Sequence, residues 1–190
     1  LQEIRASLDM QHFIPIASPV QLADQDYEID PYILGVILGD GCITQNAIIF
    51  SSADKEIVDQ VRAFLPDYLF LRDILAENRC PQYRISMKEQ ARNAKGQMLP
   101  HKWLEILRDI GLHGKDSLGK FVPEQYLHGS IKQRLSVLQG LMDTDGCVDK
   151  KTNSPIFTSI SPMLAKAVAS LVQSLGGTAT IKNKKTTYTY

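Results

Sequence analysis

The sequence predicts an α+β protein assembled from two related halves, and three observations carry that prediction. A nine-residue pattern occurs twice, the first copy is followed by alternating helical and strand periodicities, and the alternation starts again after the second copy. The copies are Ile33-Leu34-Gly35-Val36-Ile37-Leu38-Gly39-Asp40-Gly41 and Leu138-Gln139-Gly140-Leu141-Met142-Asp143-Thr144-Asp145-Gly146. Each has Gly third, an apolar pair next, a small residue seventh and Asp-Gly at the end. With Gly at about 7% of average sequence, such a match arises by chance in well under roughly one window per thousand. Asp40 and Asp145 lie 105 residues apart, as do Cys42 and Cys147 behind them.

Each copy reads as a helix that is apolar almost all round, and so as a buried one. Gly35 and Gly39 share a face, as do Gly140 and Thr144, and small residues on one face let two backbones approach closely. The two helices are therefore expected to pack on each other and deliver Asp40 and Asp145 side by side at their C-termini. Each Asp precedes a Gly suited to the position just past a helix end.

The remaining elements follow in order. Residues 1–30 read as a short helix, an extended piece and a linker. Asp30 caps the first motif helix and Pro31 opens it. Cys42 to Ser52 reads as a hairpin turning near Gln45-Asn46, and Asp54 to Leu65 has a helical period at Ile57, Val58, Val61, Phe64 and Leu65. Leu69–Leu75 and Gln82–Met87 read as strands, and 88–97 as a basic loop. A helix from Pro100 carries Trp103, Leu104, Ile106, Leu107 and Ile110 to Gly111, with Trp103 in the core. After the second motif, Ile156–Ile160 reads as a strand, Met163–Leu175 as a helix ended by Gly176-Gly177, and Thr178–Tyr190 as a strand or hairpin. Only 45 residues follow Asp145, so the second half is expected to be incomplete. The divisions expected are 1–30, 31–130 and 131–190.

Composition bounds the function. A chain of 190 residues, 44% hydrophobic and 22% charged, supports one ordinary core or two small fused halves. Neither motif run reaches the roughly 20 apolar residues of a membrane span, and no targeting signal is seen, so an intracellular, cytoplasmic location is expected. Three cysteines without paired spacing argue against a disulfide framework or zinc ribbon; Cys42, Cys80 and Cys147 are expected to be small buried residues. Zero net charge conceals a division: residues 1–78 hold 4 Lys+Arg and 13 Asp+Glu, residues 79–190 hold 17 and 8. Local fields, not the sum, steer a phosphate backbone.

Two carboxylates at helix C-termini repel the helix dipoles and each other. A hard divalent cation with oxygen ligands, Mg²⁺ or Mn²⁺, compensates best, and the arrangement suits in-line displacement at phosphorus. Strand alternation places Arg72, Arg84, Ser86 and Lys88, and then Thr178, Thr180, Lys182 and Lys184, on polar faces able to meet phosphates and base edges. Lys88, Arg92 and Lys95 form one basic loop, Lys150 and Lys151 another. The four histidines form no ligand spacing, and Asp143 is expected to be structural.

The two motifs resemble those of the LAGLIDADG endonucleases, particularly the endonuclease domains of inteins; Gly140 to Gly146 is an especially close match. His12-Phe13-Ile14-Pro15-Ile16 with Pro19-Val20 resembles the linker after an intein's first splicing block. The resemblance implies two αββαββα halves packed through the motif helices, with antiparallel sheets forming a saddle over long, near-palindromic or asymmetric double-stranded DNA. It implies Asp40 and Asp145 as catalytic metal ligands with the carbonyls of Gly39 and Thr144, and Lys120, in Gly119-Lys120-Phe121-Val122-Pro123, as a catalytic lysine at the scissile phosphate. Gln45, on the first hairpin, would position water or touch DNA. Partners would be DNA and an intein splicing domain or a further C-terminal fragment, with no membrane. No Thr-x-x-His or terminal His-Asn is present, so self-splicing is not expected. A DNA- or RNA-binding domain without cleavage, including a maturase-like one, is the other reading.

Overall fold

The computed structural model describes residues 17–74, 80–89, 95 and 99–185. The segment His12–Ile16 and Arg92 lie outside the described residues. The helices are α1 (Pro31–Asp40), α2 (Lys55–Phe64), α3 (Lys102–Asp109), α4 (Glu124–Leu127), α5 (Ile131–Asp145) and α6 (Pro162–Ser174). The strands are β1 (Gly41–Gln45), β2 (Ala47–Ser51), β3 (Leu69–Ile74), β4 (Gln82–Met87), β5 (Gly146–Val148) and β6 (Pro155–Phe157). The α+β class is borne out: helices pack on a four-stranded antiparallel sheet of order β1-β2-β4-β3, and β5 pairs with β6 in a two-stranded one.

Local chemistry sets the helix starts. The Asp30 carboxylate accepts from the amides of Tyr32 and Ile33 ahead of Pro31. At α5, Ser130 and Gln133 form a reciprocal capping box, so two of the amides a helix start leaves unpaired find acceptors. Gly111 and Gly176, after α3 and α6, take positive φ of 74° and 84°, where a side chain is strained.

The core lies where α1 meets the sheet and α5. Residues 31–38 of α1 are buried without a break. Ile43, Ile48, Phe50, Leu69 and Ile85 cover the inner sheet face, joined by Ile57, Val58 and Val61 from α2 and Trp103, Leu104 and Leu107 from α3. Trp103 is fully buried as expected, and its indole N–H donates to the Tyr68 hydroxyl (3.1 Å). Val137 and Leu141 of α5 and Leu164, Ala167, Val168 and Leu171 of α6 extend the same core.

A buried cation ties the N-terminal segment to this frame. Arg134 of α5 is fully buried; its guanidinium donates to the carbonyls of Gly129 (2.9 Å), Ser174 (2.8 Å) and Val20. The Val20 amide in turn donates to Ser174 O (2.9 Å). Arg134→Met removes the donor from Gly129 O and Val20 O, while Ser174 O keeps the Val20 amide, at about 1–3 kcal/mol for each buried group left unpaired. A fall in Tm of at least about 5 °C by calorimetry is the expected result.

Four expectations need correction. Gly41 and Gly146 are not left-handed helix ends: both are extended (φ −83°, ψ 147° and φ −91°, ψ 155°) and begin strands at once. Glycine is needed there because a Cβ would run into the carbonyls of Ile37 and Met142. Cys42, Cys80 and Cys147 are exposed; Cys42 and Cys147 sit one residue past the motifs, where the strand turns its side chains outward. Residues 178–185 form no strand, because alternation alone supplies no hydrogen-bonded neighbour. The strand expected at 156–160 is the shorter β6.

Candidate active site and nucleic-acid face

The site begins with the crossing of α1 and α5. A Cβ on Gly35 would lie 2.5 Å from Val137 O and 2.9 Å from the Cα of Gly140; one on Gly140 would overlap Tyr32 O and sit 3.0 Å from the Cα of Gly35. The two helix backbones are thus in direct contact, as the small-residue spacing predicts. At Gly39 the obstacle is the Thr144 side chain, whose hydroxyl donates back to the carbonyls of Gly140 and Leu141 (3.1 and 3.0 Å). Tyr32, fully buried on α1, donates its hydroxyl across the crossing to Asp143 (2.9 Å). Asp143 is a structural acceptor, as expected, and burial with this carboxylate beside it pushes the Tyr32 phenol far above its ordinary value.

The crossing brings the ends of both motif helices together. Burial raises the Asp40 carboxyl above its usual range, against a lowering effect of Lys120. Burial also raises Asp145, the charge on Asp40 raises it further, and Lys120 opposes both. The two carboxylates therefore feel each other and share one nearby cation.

That cation is placed differently from a surface lysine. Lys120 is buried, and its Nζ donates to three carbonyls, Ile37 (3.0 Å), Gly39 (3.0 Å) and Gly41 (2.6 Å). Its own carbonyl accepts from Ser161 Oγ (2.7 Å), the side chain that also caps α6. Burial pushes the ammonium down, while Asp145, Asp40 and Cys42 pull it up. The Cys42 thiol, bonded to Thr44 and near Lys120, is held below its ordinary range.

The donor set suits a hard cation. Two carboxylates with the carbonyls of Gly39 and Thr144 are all oxygen, and Mg²⁺ is commonly held by one or two carboxylates while keeping several waters. Among the described residues no three His, Cys, Asp or Glu side chains gather as a metal cluster.

The outer sheet face holds several of the residues expected to meet DNA. In β3 and β4, Arg72 lies directly opposite Arg84, and Ile49 of β2 is Arg84's neighbour on the other side. With Asp73 and Ile74 they line a shallow hollow of about 440 Å³. Like charges directly opposite each other are unfavourable without an anion, and Asp73 is already paired with Arg62 (3.2 Å). Ser86 lies in register with Phe70, an exposed aromatic that the alternation Phe70, Arg72 places on the same face as the arginines. Gln45 is exposed at the hairpin tip, and Lys88 and Lys95 are exposed beyond β4. Lys150 and Lys151 project from the β5–β6 turn, which is closed by the Asp149 carboxylate accepting from the amides of Lys151 and Thr152 (2.7 and 2.9 Å). Lys182 and Lys184 are exposed but off any strand.

Residues 132–190 match a LAGLIDADG-like domain. The match spans α5 with the second motif, β5, β6 and α6, and it supports the LAGLIDADG family, whose members are generally DNA-binding nucleases. The chain is also 31% identical over 88% of its length to the replicative DNA helicase DnaB of Mycobacterium intracellulare, covering 22% of that protein. It is 32% identical over 76% of its length to DnaB of Synechocystis, covering 17% of it. The ATP-dependent DNA helicase Hel308 of Thermococcus kodakarensis is 27% identical over 78% of the chain, which covers 13% of that helicase. The chain thus spans about a fifth or less of the length of these relatives.

The helicase names raise the question of a nucleotide site. Gly114 and Gly119-Lys120 have the glycine and lysine spacing of a phosphate-binding loop, but Phe121 stands where that motif needs Ser or Thr. No strand leads into the segment, and the Lys120 ammonium is turned onto backbone carbonyls. These residues do not form a nucleotide-binding loop. No helix among the described residues is long and apolar enough to cross a membrane.

Proposed function

We propose that this chain is the endonuclease region of an intein, hydrolysing phosphodiesters of duplex DNA at a long specific target with Mg²⁺ or Mn²⁺. The observation that carries the proposal is the paired Asp40 and Asp145 at the ends of two helices in backbone contact, whose repulsion the nearby Lys120, with its three protons on backbone carbonyls, only partly offsets. The similarity of this one stretch to small fractions of two differently named helicases supports an inserted element over a part of the helicase motor.

Asp40 and Asp145 would hold the cation, with Thr144 O and the remaining lone pair of Gly39 O, whose other is taken by Lys120 Nζ, as further donors. When bound, it would lower the pKa of a coordinated water and offset charge at the phosphate. Lys120 adds a positive charge to the same centre, and the low-dielectric wall around it strengthens that charge. Arg72 and Arg84, with Ser86, Gln45 and the lysines 88, 95, 150, 151, 182 and 184, would neutralise phosphates and read base edges along the duplex.

The test is incubation of the purified protein with a supercoiled plasmid carrying an uninterrupted DnaB gene, in Mg²⁺ or EDTA. Metal-dependent nicking or linearisation at one site is expected; DNA binding without cutting would overturn the enzyme reading in favour of binding alone. The face makes its own prediction. Each phosphate contact contributes about 0.9 to the salt slope of log K, so Arg72→Ala with Arg84→Ala is expected to flatten that slope by nearly two in a fluorescence titration. An unchanged slope and affinity would remove DNA from this face.

A further inference from the structure

An ammonium has three protons, and all three of Lys120's are placed on protein carbonyls at 2.6–3.0 Å. The acceptors belong to Ile37, Gly39 and Gly41, residues that bracket Asp40 on both sides. α1 ends and β1 begins there without an intervening loop, so these carbonyls face the negative end of the helix, where a cation is favoured. The backbone of Lys120 is itself fixed, its carbonyl taking the Ser161 hydroxyl at the start of α6. One buried side chain therefore locks the peptide planes around Asp40 to the other side of the site.

We propose that Lys120 is a positioning residue: its ammonium stays on the three carbonyls around Asp40 and fixes that carboxylate for the cation, and it does not contact the scissile phosphate. The inference rests on the nuclease reading. It differs from the role implied by the family resemblance, in which this lysine reaches the phosphate. A side chain that left for DNA would give up its hydrogen bonds to all three carbonyls, leaving Ile37 O with the Gly41 amide that closes α1.

Nitrogen-detected NMR of the wild-type protein separates the two roles, with Lys120 assigned by its loss in Lys120→Arg. The Lys120 ammonium protons are expected to be protected from exchange, and to remain so, without coupling to phosphorus, when Ca²⁺ and a duplex from the uninterrupted DnaB gene are added. Release from protection, or a coupling to a DNA phosphate, overturns the proposal. Calorimetric Ca²⁺ titration of Lys120→Met and Lys120→Arg gives a second readout. Losing a positive charge would by itself tighten cation binding, so a dissociation constant raised about tenfold in Lys120→Met marks lost positioning. Arg, whose planar fork does not match three converging acceptors, is expected to behave similarly. Folded variants that bind Ca²⁺ as tightly as wild type, or tighter, overturn the proposal. Should neither variant fold, the wild-type ammonium signal decides. Failure of the wild-type protein to cut in Mg²⁺ counts against the nuclease reading and is scored separately from the ammonium signal.

Discussion

Asp145→Asn is expected to lower cleavage by at least about a hundredfold, the scale on which even groups supporting a metal centre affect its activity. The fold should not pay for the loss. The Asp145 carboxyl is raised by burial and by Asp40, so its charged form is less favourable in the folded state than in the unfolded chain. A carboxyl whose folded pKa lies above its unfolded value of 3.8 destabilises the protein increasingly as pH rises through that interval, because the folded state binds more protons there. Without metal, Asp145→Asn should therefore melt above wild type at neutral pH. The advantage should shrink as pH falls through the raised folded value and vanish below both. Asp40→Asn follows the same logic. Plasmid cleavage rates and a series of melts across pH check both parts; a cutting-competent Asp145→Asn would break the site assignment, and a lower metal-free Tm at neutral pH would break its electrostatics.

Gly140→Val is expected to produce the largest loss of stability. Its first added carbon would overlap Tyr32 O and press on the amide of Val36 and the Cα of Gly35. These are backbone atoms of a facing helix and have no rotamer to change. Overpacking costs about 1–3 kcal/mol where side chains give way and more where they do not, so at least about 3 kcal/mol is expected. At roughly 2–4 °C per kcal/mol for a domain of this size, Tm should drop by about 6–12 °C or the protein should fail to fold. Gly39→Ala meets the Thr144 side chain and not a main chain, so it should be the milder of the two. Calorimetry of both variants checks the order; equal and small losses would mean that the helices are not in backbone contact.

Much of the frame was legible because its causes are local or periodic. The Asp30 cap, the turn at Gln45-Asn46, the strand alternation at 82–87 and the glycine ends of α3 and α6 each depend on a few adjacent residues. The helix crossing was legible for a different reason, since duplication put the same small residues on two faces. What failed was long-range or depended on a partner. Lys120 could be singled out but not placed, because its acceptors lie 79–83 residues earlier in the chain. The alternation at 178–185 suits a strand but lacks the neighbour that makes one. Cysteine's usual burial misled at positions 42 and 147, where the first strand residues past each motif face outward. Gly41 and Gly146 are required by close approach to the preceding helix turn and not by a left-handed backbone, a distinction that the Asp-Gly pair alone does not make.

The central claim is that Asp40 and Asp145 form one shared cation site, and Mn²⁺ binding followed by electron paramagnetic resonance tests it most directly. Wild-type protein is predicted to take up Mn²⁺ and release it to Mg²⁺ in competition, while Asp40→Asn/Asp145→Asn, still folded and still binding DNA, leaves the Mn²⁺ free. Equal Mn²⁺ uptake by wild type and the double variant would contradict the account.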